Sequence, residues 1–205
     1  SLKNFENVLV GGNNEVRIVG NDFDNYLAGG EGDDIIIGNG GSDTLLGGNG
    51  NDVFVLADTI GAGDMDIILD FETGSGGDVM QFQYGDALSS SGFSFRIVDL
   101  ASGGKKTLTN NTEILLLTGS SYFNENQLLS ALNGTHGLEE HNAQLHGSSQ
   151  ICVWENKSEG SLNVSLISDK EIDGLFSDTI YTSVQLNDLS LSEFANFSAA
   201  NFQIL

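Results

Sequence analysis

The chain has almost no cysteine or proline and few basic residues. Its 205 residues include one cysteine, no proline, and 7 Lys and Arg against 29 Asp and Glu, which gives a formal net charge of −22 at pH 7. A single cysteine excludes an internal disulfide framework and an all-cysteine zinc site. The shortage of basic residues argues against nucleic acid and anionic membrane surfaces as partners, since both need clustered Lys and Arg. A chain this acidic attracts cations.

Long apolar stretches are also missing. No run approaches the roughly 20 apolar residues that a membrane-spanning helix needs, so no membrane span is expected. The first residues, Ser-Leu-Lys-Asn-Phe, contain neither an initiator methionine nor the apolar core of a Sec signal. We therefore expect the chain to be part of a longer protein.

Glycine, by contrast, is abundant, and it recurs every nine positions. Five consecutive nonamers fill residues 11–55: GGNNEVRIV, GNDFDNYLA, GGEGDDIII, GNGGSDTLL and GGNGNDVFV. A weaker copy begins at Leu2. Positions 1–6 are rich in Gly, Asn and Asp, which favour a tight turn, and positions 7–9 favour a short strand whose middle residue points inward. Strands of three residues need stacked neighbours, so the repeat predicts coils that lie one above another.

Two nonamers would make one coil of 18 residues with a turn on each side. This stacking places Asp34 next to Asp52 on one side, and Asn25 next to Asp43 on the other. Stacked carboxylates repel each other unless a cation lies between them, and carboxylate and carbonyl oxygens suit Ca²⁺. The alternative is a glycine-rich turn with solvated Asp residues and no metal. We expect calcium, because a dry stack would leave charges and acceptors unpaired.

The nonamers GGEGDDIII and GGNGNDVFV match GGxGxDxUx, and the region resembles the RTX (repeats-in-toxin, haemolysin-type) family. The resemblance implies a parallel β-roll with Ca²⁺ held between turns. On one side, the implied ligands are Gly30, Gly32, Asp34, Gly47, Asn49 and Asp52. On the other side, they are Asn21, Phe23, Asn25, Gly38, Gly40 and Asp43. Val16 and Asn25 replace the sixth-position Asp of the first two nonamers, so sites that involve those turns are expected to be weaker or empty.

A segment that follows the nonamers resembles the end of many RTX rolls. It reads GDMDIILDF and then GGDVM, and it is similar to the pattern D-x-I-x-D-F…G-D-x-I. The resemblance implies Asp66 and Asp70 as further ligands, with Phe71 and Met80 covering the open end of the core. For Asp78, a ligand and an ordinary surface carboxylate remain equally open.

The nine-residue period ends near residue 83, where we place a domain boundary. Alternation and turn residues predict strands at 93–100, 113–118, 150–155, 162–167 and 179–186. Short helices are expected at 124–132 and 189–194. The predicted fold is mainly all-β, with a parallel β-roll over residues 1–82 and a small β-rich domain with one or two short helices over residues 83–205.

The C-terminal end resembles the apolar, uncleaved export signals of RTX proteins that leave the cell by type I secretion. Those ends commonly carry an acidic residue before a few apolar ones, and Asn201 takes that place here. The resemblance implies a type I exporter as a partner and a secreted, extracellular or cell-surface location in bacteria.

No constellation of catalytic residues stands out, and we expect no enzymatic activity. The three histidines are five residues apart and match neither HExxH nor HxxEH; they are His136, His141 and His146. There is no G-x-S-x-G, Walker A or dinucleotide-binding motif. Cys152 lies between apolar residues and is expected to be a core thiol rather than a nucleophile.

Two functions follow from these features. The first is a calcium-binding RTX module at the C-terminus of a larger extracellular protein, which folds on Ca²⁺ binding after type I secretion. The alternative is a calcium-dependent polysaccharide-binding module, similar to the R-modules of alginate epimerases, or part of a surface adhesin. The alternative needs exposed aromatic rings around Trp154 and Tyr181, whereas core packing is the preferred interpretation of both. No residues support a small hydrolase within residues 83–205.

Overall fold

A computed structural model describes most of the chain. The described residues are 2–3, 6–56, 64–83, 94–104, 106–107, 113–133, 138–139, 149–168, 179–187, 189 and 191–204. The chain divides into two compact units. The roll unit comprises Ser1–Tyr84 and Ser183–Leu205, and the second unit comprises Gly85–Thr182. The three histidines lie outside the described residues.

Short parallel strands build the roll unit. One sheet contains, in this order, β1 (Leu2–Lys3), β3 (Arg17–Val19), β5 (Ile35–Ile37), β7 (Val53–Leu56), β9 (Val79–Phe82) and β17 (Phe202–Ile204). The other contains β2 (Asn7–Leu9), β4 (Tyr26–Ala28), β6 (Thr44–Leu46), β8 (Asp66–Ile68) and, next to β8, residues 184–186 of β16 (Thr179–Leu186). Successive nonamers therefore alternate between the two sheets, as expected for a parallel β-roll.

The register of the strands confirms a coil of 18 residues. Ile35 pairs with Val53 in one sheet, and Tyr26 pairs with Thr44 in the other. The eighth residue of every nonamer points into the core and has no exposed surface; these residues are Ile18, Leu27, Ile36, Leu45 and Phe54. The turns alternate between the two sides of the roll because each one connects a strand of one sheet to a strand of the other.

The weaker copy at the N-terminus is offset by one residue from the predicted register. Val8, rather than Leu9, pairs with Leu27. Because neighbouring side chains on a strand point to opposite faces, this offset buries Val8 and leaves Leu9 78% exposed.

The C-terminal segment lies in the roll unit, which differs from the predicted domain of residues 83–205. It contains α2 (Leu191–Phe194), a 3₁₀ turn (Ala199–Asn201) and β17, which extends the sheet at β9. Phe197 stacks on Phe71 with ring centroids 5.7 Å apart. Phe71 and Met80 are buried as predicted, but they do not end the core, because the C-terminal segment covers it. This segment belongs with the roll because β9 offers it an open sheet edge and an apolar surface.

The second unit is also mainly β. Its main strands are β10 (Ser94–Asp99), β12 (Glu113–Thr118), β14 (Ser149–Asn156) and β15 (Ser161–Ser168), and a small pair consists of β11 (Lys106–Thr107) and β13 (Leu138–Glu139). The hairpin of β14 and β15 was predicted from the sequence. The predicted helix is α1 (Glu125–Leu132), and the side chain of Asn124 caps it by accepting a hydrogen bond from Gln127 N.

The core of the second unit contains Cys152 and Trp154. Cys152 and Trp154 have no exposed surface, and Trp154 Nε1 donates to Ser165 Oγ at 2.8 Å. Both are therefore core residues, as expected. None of the helices in the described ranges has the length and apolar character needed to cross a membrane.

Candidate metal centre

Carboxylate side chains join successive coils on both sides of the roll. Five Asp side chains each accept a hydrogen bond through Oδ1 from the backbone N–H of the sixth-position residue one coil earlier; they are Asp34, Asp43, Asp52, Asp66 and Asp78. On one side the bonds are Val16 N to Asp34 Oδ1 (2.8 Å), Asp34 N to Asp52 Oδ1 (2.8 Å) and Asp52 N to Asp78 Oδ1 (2.9 Å). On the other side they are Asn25 N to Asp43 Oδ1 (2.8 Å) and Asp43 N to Asp66 Oδ1 (3.0 Å). We call these the first and the second column.

In four of the five nonamers the first residue must be glycine because the sixth residue occupies the space beside it; these glycines are Gly20, Gly29, Gly38 and Gly47. A Cβ atom on Gly29 would lie 2.2 Å from Asp34 Oδ2 and 2.4 Å from the carbonyl oxygen of Gly47. A Cβ atom on Gly20 would meet Asn25 Oδ1 at 2.1 Å and Gly38 O at 2.5 Å. Gly20 and Gly29 thus each leave a small space into which one side-chain oxygen and one carbonyl oxygen of the next coil both point.

Not all of these carboxylate oxygens have hydrogen-bond partners. Asp34 Oδ2 accepts a hydrogen bond of 2.8 Å from the backbone N–H of Gly30, which is the second residue of the same nonamer. Asp52 Oδ2 has no such bond, because the corresponding N–H of Gly48 donates to Asp70 Oδ2 at 2.7 Å. Asp43 Oδ2 is likewise buried without a partner among the described residues. Within the described residues, the columns therefore hold two buried anionic oxygens that have no hydrogen-bond donor.

Burial changes the proton affinity of these groups. Loss of hydration raises the pKa of Asp43 and of Asp52 to about 6. For the same reason, the pKa of Asp66 and of Asp78 rises to about 7. The backbone N–H bonds oppose the shift, and neighbouring carboxylates increase it further. Both columns therefore disfavour negative charge when no cation is close.

The last turn of the roll contributes two further carboxylates. Asp70 binds Gly47 N through Oδ1 at 2.9 Å as well as Gly48 N through Oδ2. Asp78 accepts from Glu72 N through Oδ2 at 2.8 Å and continues the first column. Asp70 also lines a cleft of about 400 Å³, which gives solvent access to this turn.

The structure brings the predicted ligands together in two groups. The turns at 29–34 and 47–52 are in direct contact, with Asn49 N donating to Gly30 O at 2.9 Å and Gly32 O beside Gly50. The turns at 20–25 and 38–43 are equally close, with the backbone of Phe23 against Gly41. Asp66 and Asp70 do not share one position: Asp66 belongs to the second column, whereas Asp70 holds the turn at Gly47 and Gly48.

The sequence alone does not decide whether Asp78 is a ligand or a surface carboxylate, and the structure places it in the first column. A signal for it exists, because Asp78 directly precedes a strand, as Asp34, Asp43 and Asp52 do. The signal was weak because 26 residues, rather than 18, separate it from Asp52. The turn that includes Asp70 and Glu72 takes up only part of the difference, because Asp43 and Asp66, which precede this turn, are already 23 residues apart.

The donor set of these turns fits Ca²⁺. Nowhere in the described part of the chain do three Asp, Glu, His or Cys side chains form a metal-binding group. The oxygens that converge come instead from carboxylates and main-chain carbonyls, and two of the carboxylate oxygens are buried and unsatisfied. Such hard oxygens are the usual ligands of calcium rather than of zinc or copper.

Comparison with known proteins agrees with this chemistry. A family model described as the RTX calcium-binding nonapeptide repeat, in four copies, matches residues 19–54. No curated protein and no solved structure matches the chain. The match covers the turns of Asn25, Asp34, Asp43 and Asp52 with their strands, so this part of the chain consists of RTX calcium-binding repeats.

Proposed function

We propose that this chain is a non-catalytic calcium-binding module of an extracellular protein, and that its roll unit folds when calcium binds. The finer points of this proposal are the ligands, the coupling to folding and the route of export. The ligands are inferred from the columns of carboxylates, and the coupling to folding is inferred from the overall charge. The route of export is inferred from the family resemblance.

The observation that carries the proposal is the environment of Asp52. Its Oδ2 is buried without a hydrogen-bond partner in the described part of the chain, and Asp34 and Asp78 adjoin it in the first column. Three neighbouring carboxylates in a desolvated position oppose the folded state at neutral pH. Bound Ca²⁺ would supply the positive charge that this column lacks and would accept six to eight oxygen ligands.

The chain's own residues define where the ion would be held. On one side, the carboxylates of the first column, those of Asp34, Asp52 and Asp78, would hold the ion together with the carbonyl of Gly47. On the other side, Asp43 and Asp66 adjoin each other in the second column. The remaining carbonyls of the predicted set lie in the same stacked turns; they are those of Phe23, Gly30, Gly32, Gly38, Gly40 and Asn49.

The coupling to folding follows from charge and glycine content. A net charge of −22 and 27 glycines both favour an open chain. A cation that binds only the coiled form would shift this balance, because its binding free energy adds to the free energy of folding. We expect dissociation constants of about 10⁻⁴–10⁻³ M, as for other extracellular calcium modules.

The same behaviour would serve export. In this proposal the roll unit stays unfolded in a cytosol with little free calcium, the chain passes through a type I exporter with its C-terminal end as the signal, and the roll unit folds outside the cell. The support is the resemblance of both the repeats and the C-terminal end to RTX proteins.

The polysaccharide-binding alternative gains no support from Trp154. This ring has no exposed surface and its indole N–H is bonded to Ser165, so it cannot stack on a sugar. The side chain of Tyr181 lies outside the described residues.

Far-UV circular dichroism during a Ca²⁺ titration tests the proposal. We expect a cooperative gain of β-structure at sub-millimolar to millimolar Ca²⁺, which EDTA reverses and Mg²⁺ does not reproduce. A spectrum and a melting curve that EDTA leaves unchanged would show that the roll folds without calcium.

Two matched substitutions locate the effect. Asp52→Asn keeps the Oδ1 acceptor for Asp34 N–H but removes the buried charge, and we expect the calcium midpoint to rise about 10-fold or more. Asp33→Asn makes the same change at an exposed carboxylate that accepts from Asn51 N, and it should leave the midpoint nearly unchanged. Equal midpoints for the two variants would argue against Asp52 as a ligand.

Export is tested by producing the chain in a bacterial host with and without a type I exporter. We expect the chain in the medium only when the exporter is present, and loss of this export when residues 191–205 are deleted. Appearance in the medium without the exporter would contradict the secretion route but not calcium binding.

A further inference from the structure

We propose that the turn at residues 20–25 is held by side-chain amides in place of a cation, so that calcium is needed only by the later turns. This inference rests on the proposed function, because it divides the same calcium-binding turns into two classes. It assigns Asn21, Asn25 and Asn39 the role that a metal ion has elsewhere in the columns.

The first step is the pairing of Asn21 with Asn25. Asn21 N donates to Asn25 Oδ1 at 2.8 Å, and Asn25 Nδ2 donates to Asn21 Oδ1 at 3.1 Å. A backbone N–H can only donate, so it fixes Oδ1 of Asn25 as the acceptor and directs Nδ2 towards Asn21. Asn21 Oδ1 accepts a second bond from Phe23 N at 3.0 Å. Asn25 is 4% exposed, yet both atoms of its amide group have partners.

The second step is a bond between coils. Asn39 Nδ2 donates to the carbonyl oxygen of Gly20 at 2.8 Å, across the gap between the turns at 20–25 and 38–43. Asn39 takes the second position of its nonamer, where the turns on the other side have glycine, and it adopts a left-handed backbone with φ of 71°. Asparagine is one of the few residues with a side chain that enters this region readily. The amide thus joins two coils on the side where the sixth-position carboxylate of the earlier coil is missing.

The third step is the contrast with the later turns. Asp43 and Asp52 each leave one buried carboxylate oxygen without a partner among the described residues. Asn25, in the corresponding position, carries no charge and leaves no orphan oxygen. Because the turn at 20–25 has no buried carboxylate oxygen that lacks a partner among the described residues, and its sixth-position oxygen already accepts from Asn21 N, a cation gains little there. Calcium should therefore bind mainly where Asp43 adjoins Asp66 in the second column and where Asp52 adjoins Asp78 in the first column.

The test is the number of calcium ions bound per chain, measured by native mass spectrometry at saturating Ca²⁺. Asn25→Asp restores the sixth-position carboxylate beside Asp43 and removes the Nδ2 donor, and we expect one additional calcium ion per chain. Asn13→Asp adds the same charge at an exposed position of another turn and should add none. The double variant Asn25→Asp with Asn39→Gly also removes the bond to Gly20 O, and it should bind the additional ion as well.

The outcomes separate this inference from the proposed function. If the wild-type chain binds calcium and both variants that carry Asn25→Asp bind the same number of ions as it does, the amide turn is not a substitute for a cation and the inference fails alone. If these variants do not fold even in saturating calcium, the inference fails too, because the pattern of the other turns should accommodate them. A wild-type chain that binds no calcium would overturn both.

Discussion

The side-chain amide of Asn201 donates a hydrogen bond of 2.9 Å to the main-chain oxygen of Asp78. The same amide group donates to Gly74 O at 3.2 Å and accepts from Gly74 N at 3.0 Å. Asn201 has no exposed surface. A residue of the C-terminal segment therefore holds the turn that carries Asp70 and ends at Asp78 in the first column.

Replacing this amide by a carboxylate should weaken the roll unit. Asn201→Asp keeps the acceptor for Gly74 N but removes the donor and places a buried charge next to the carbonyl oxygens of Gly74 and Asp78. We expect the free energy of unfolding in calcium to fall by roughly 2–4 kcal/mol in denaturant titrations. Asn126→Asp, at an exposed position in the first turn of α1, is the matched control and should change stability by less than about 0.5 kcal/mol. Equal effects would contradict the role of Asn201.

The glycines at the first position of the nonamers should differ sharply in how well they tolerate substitution by alanine. In Gly29→Ala the new Cβ would overlap Asp34 Oδ2 and Gly47 O, and we expect a loss of about 2–4 kcal/mol together with weaker calcium binding. Gly11 has the same repeat position but nothing within 4 Å of its Cβ direction, because its sixth-position residue is Val16. Gly11→Ala should be neutral or should stabilise the chain by up to about 1 kcal/mol. Thermal melts in calcium measure both, and similar losses at the two sites would disprove the carboxylate-based explanation.

The calcium-free protein should be more stable in mild acid than at neutral pH. Burial raises the pKa of Asp52 to about 6 and of Asp78 to about 7, above the ordinary value of 3.8. A raised carboxyl pKa means that the folded form binds the proton more tightly, so its contribution is complete below pH 3.8 and is lost as the pH rises through 6 and 7. Each such group changes the stability by about 1.4 kcal/mol per pH unit in this window. In EDTA, the β-structure detected by circular dichroism should therefore decrease from about pH 5 to about pH 8, and an increase would refute the desolvated columns.

The periodic part of the roll was predictable because the residues of each nonamer determine both its turn and the inward side of its strand. Gly38 and Asp43, five residues apart, specify a turn in which the carboxylate lies against the glycine, and Leu45 specifies the inward side of the strand. Stacking then follows from a period of 18 residues. The register of β2 could not be predicted in the same way, because the first copy has no glycine at its first position to fix the turn.

The end of the roll depended on contacts between distant parts of the chain. Phe202 pairs with Met80, and Asn201 bonds to the turn at Gly74, across more than 120 residues. No local sequence pattern predicts such contacts. The sequence-based domain boundary at residue 83 therefore groups residues 183–205 with the second domain. The bond from Asn39 to Gly20 was missed for a similar reason, since only the stacked coils reveal that a second-position asparagine faces a carbonyl oxygen.

The only cysteine should report on the second unit alone. Cys152 has no exposed surface, and burial raises the pKa of its thiol, so the reactive thiolate forms only when this unit opens. If opening costs about 3 kcal/mol, labelling by a disulfide reagent should be about 100-fold slower than in denaturant. Because both carboxylate columns lie in the roll unit, EDTA should leave this slow rate unchanged while it abolishes the calcium-dependent β-signal. Labelling in EDTA as fast as in denaturant would instead show that the second unit, too, needs calcium to fold.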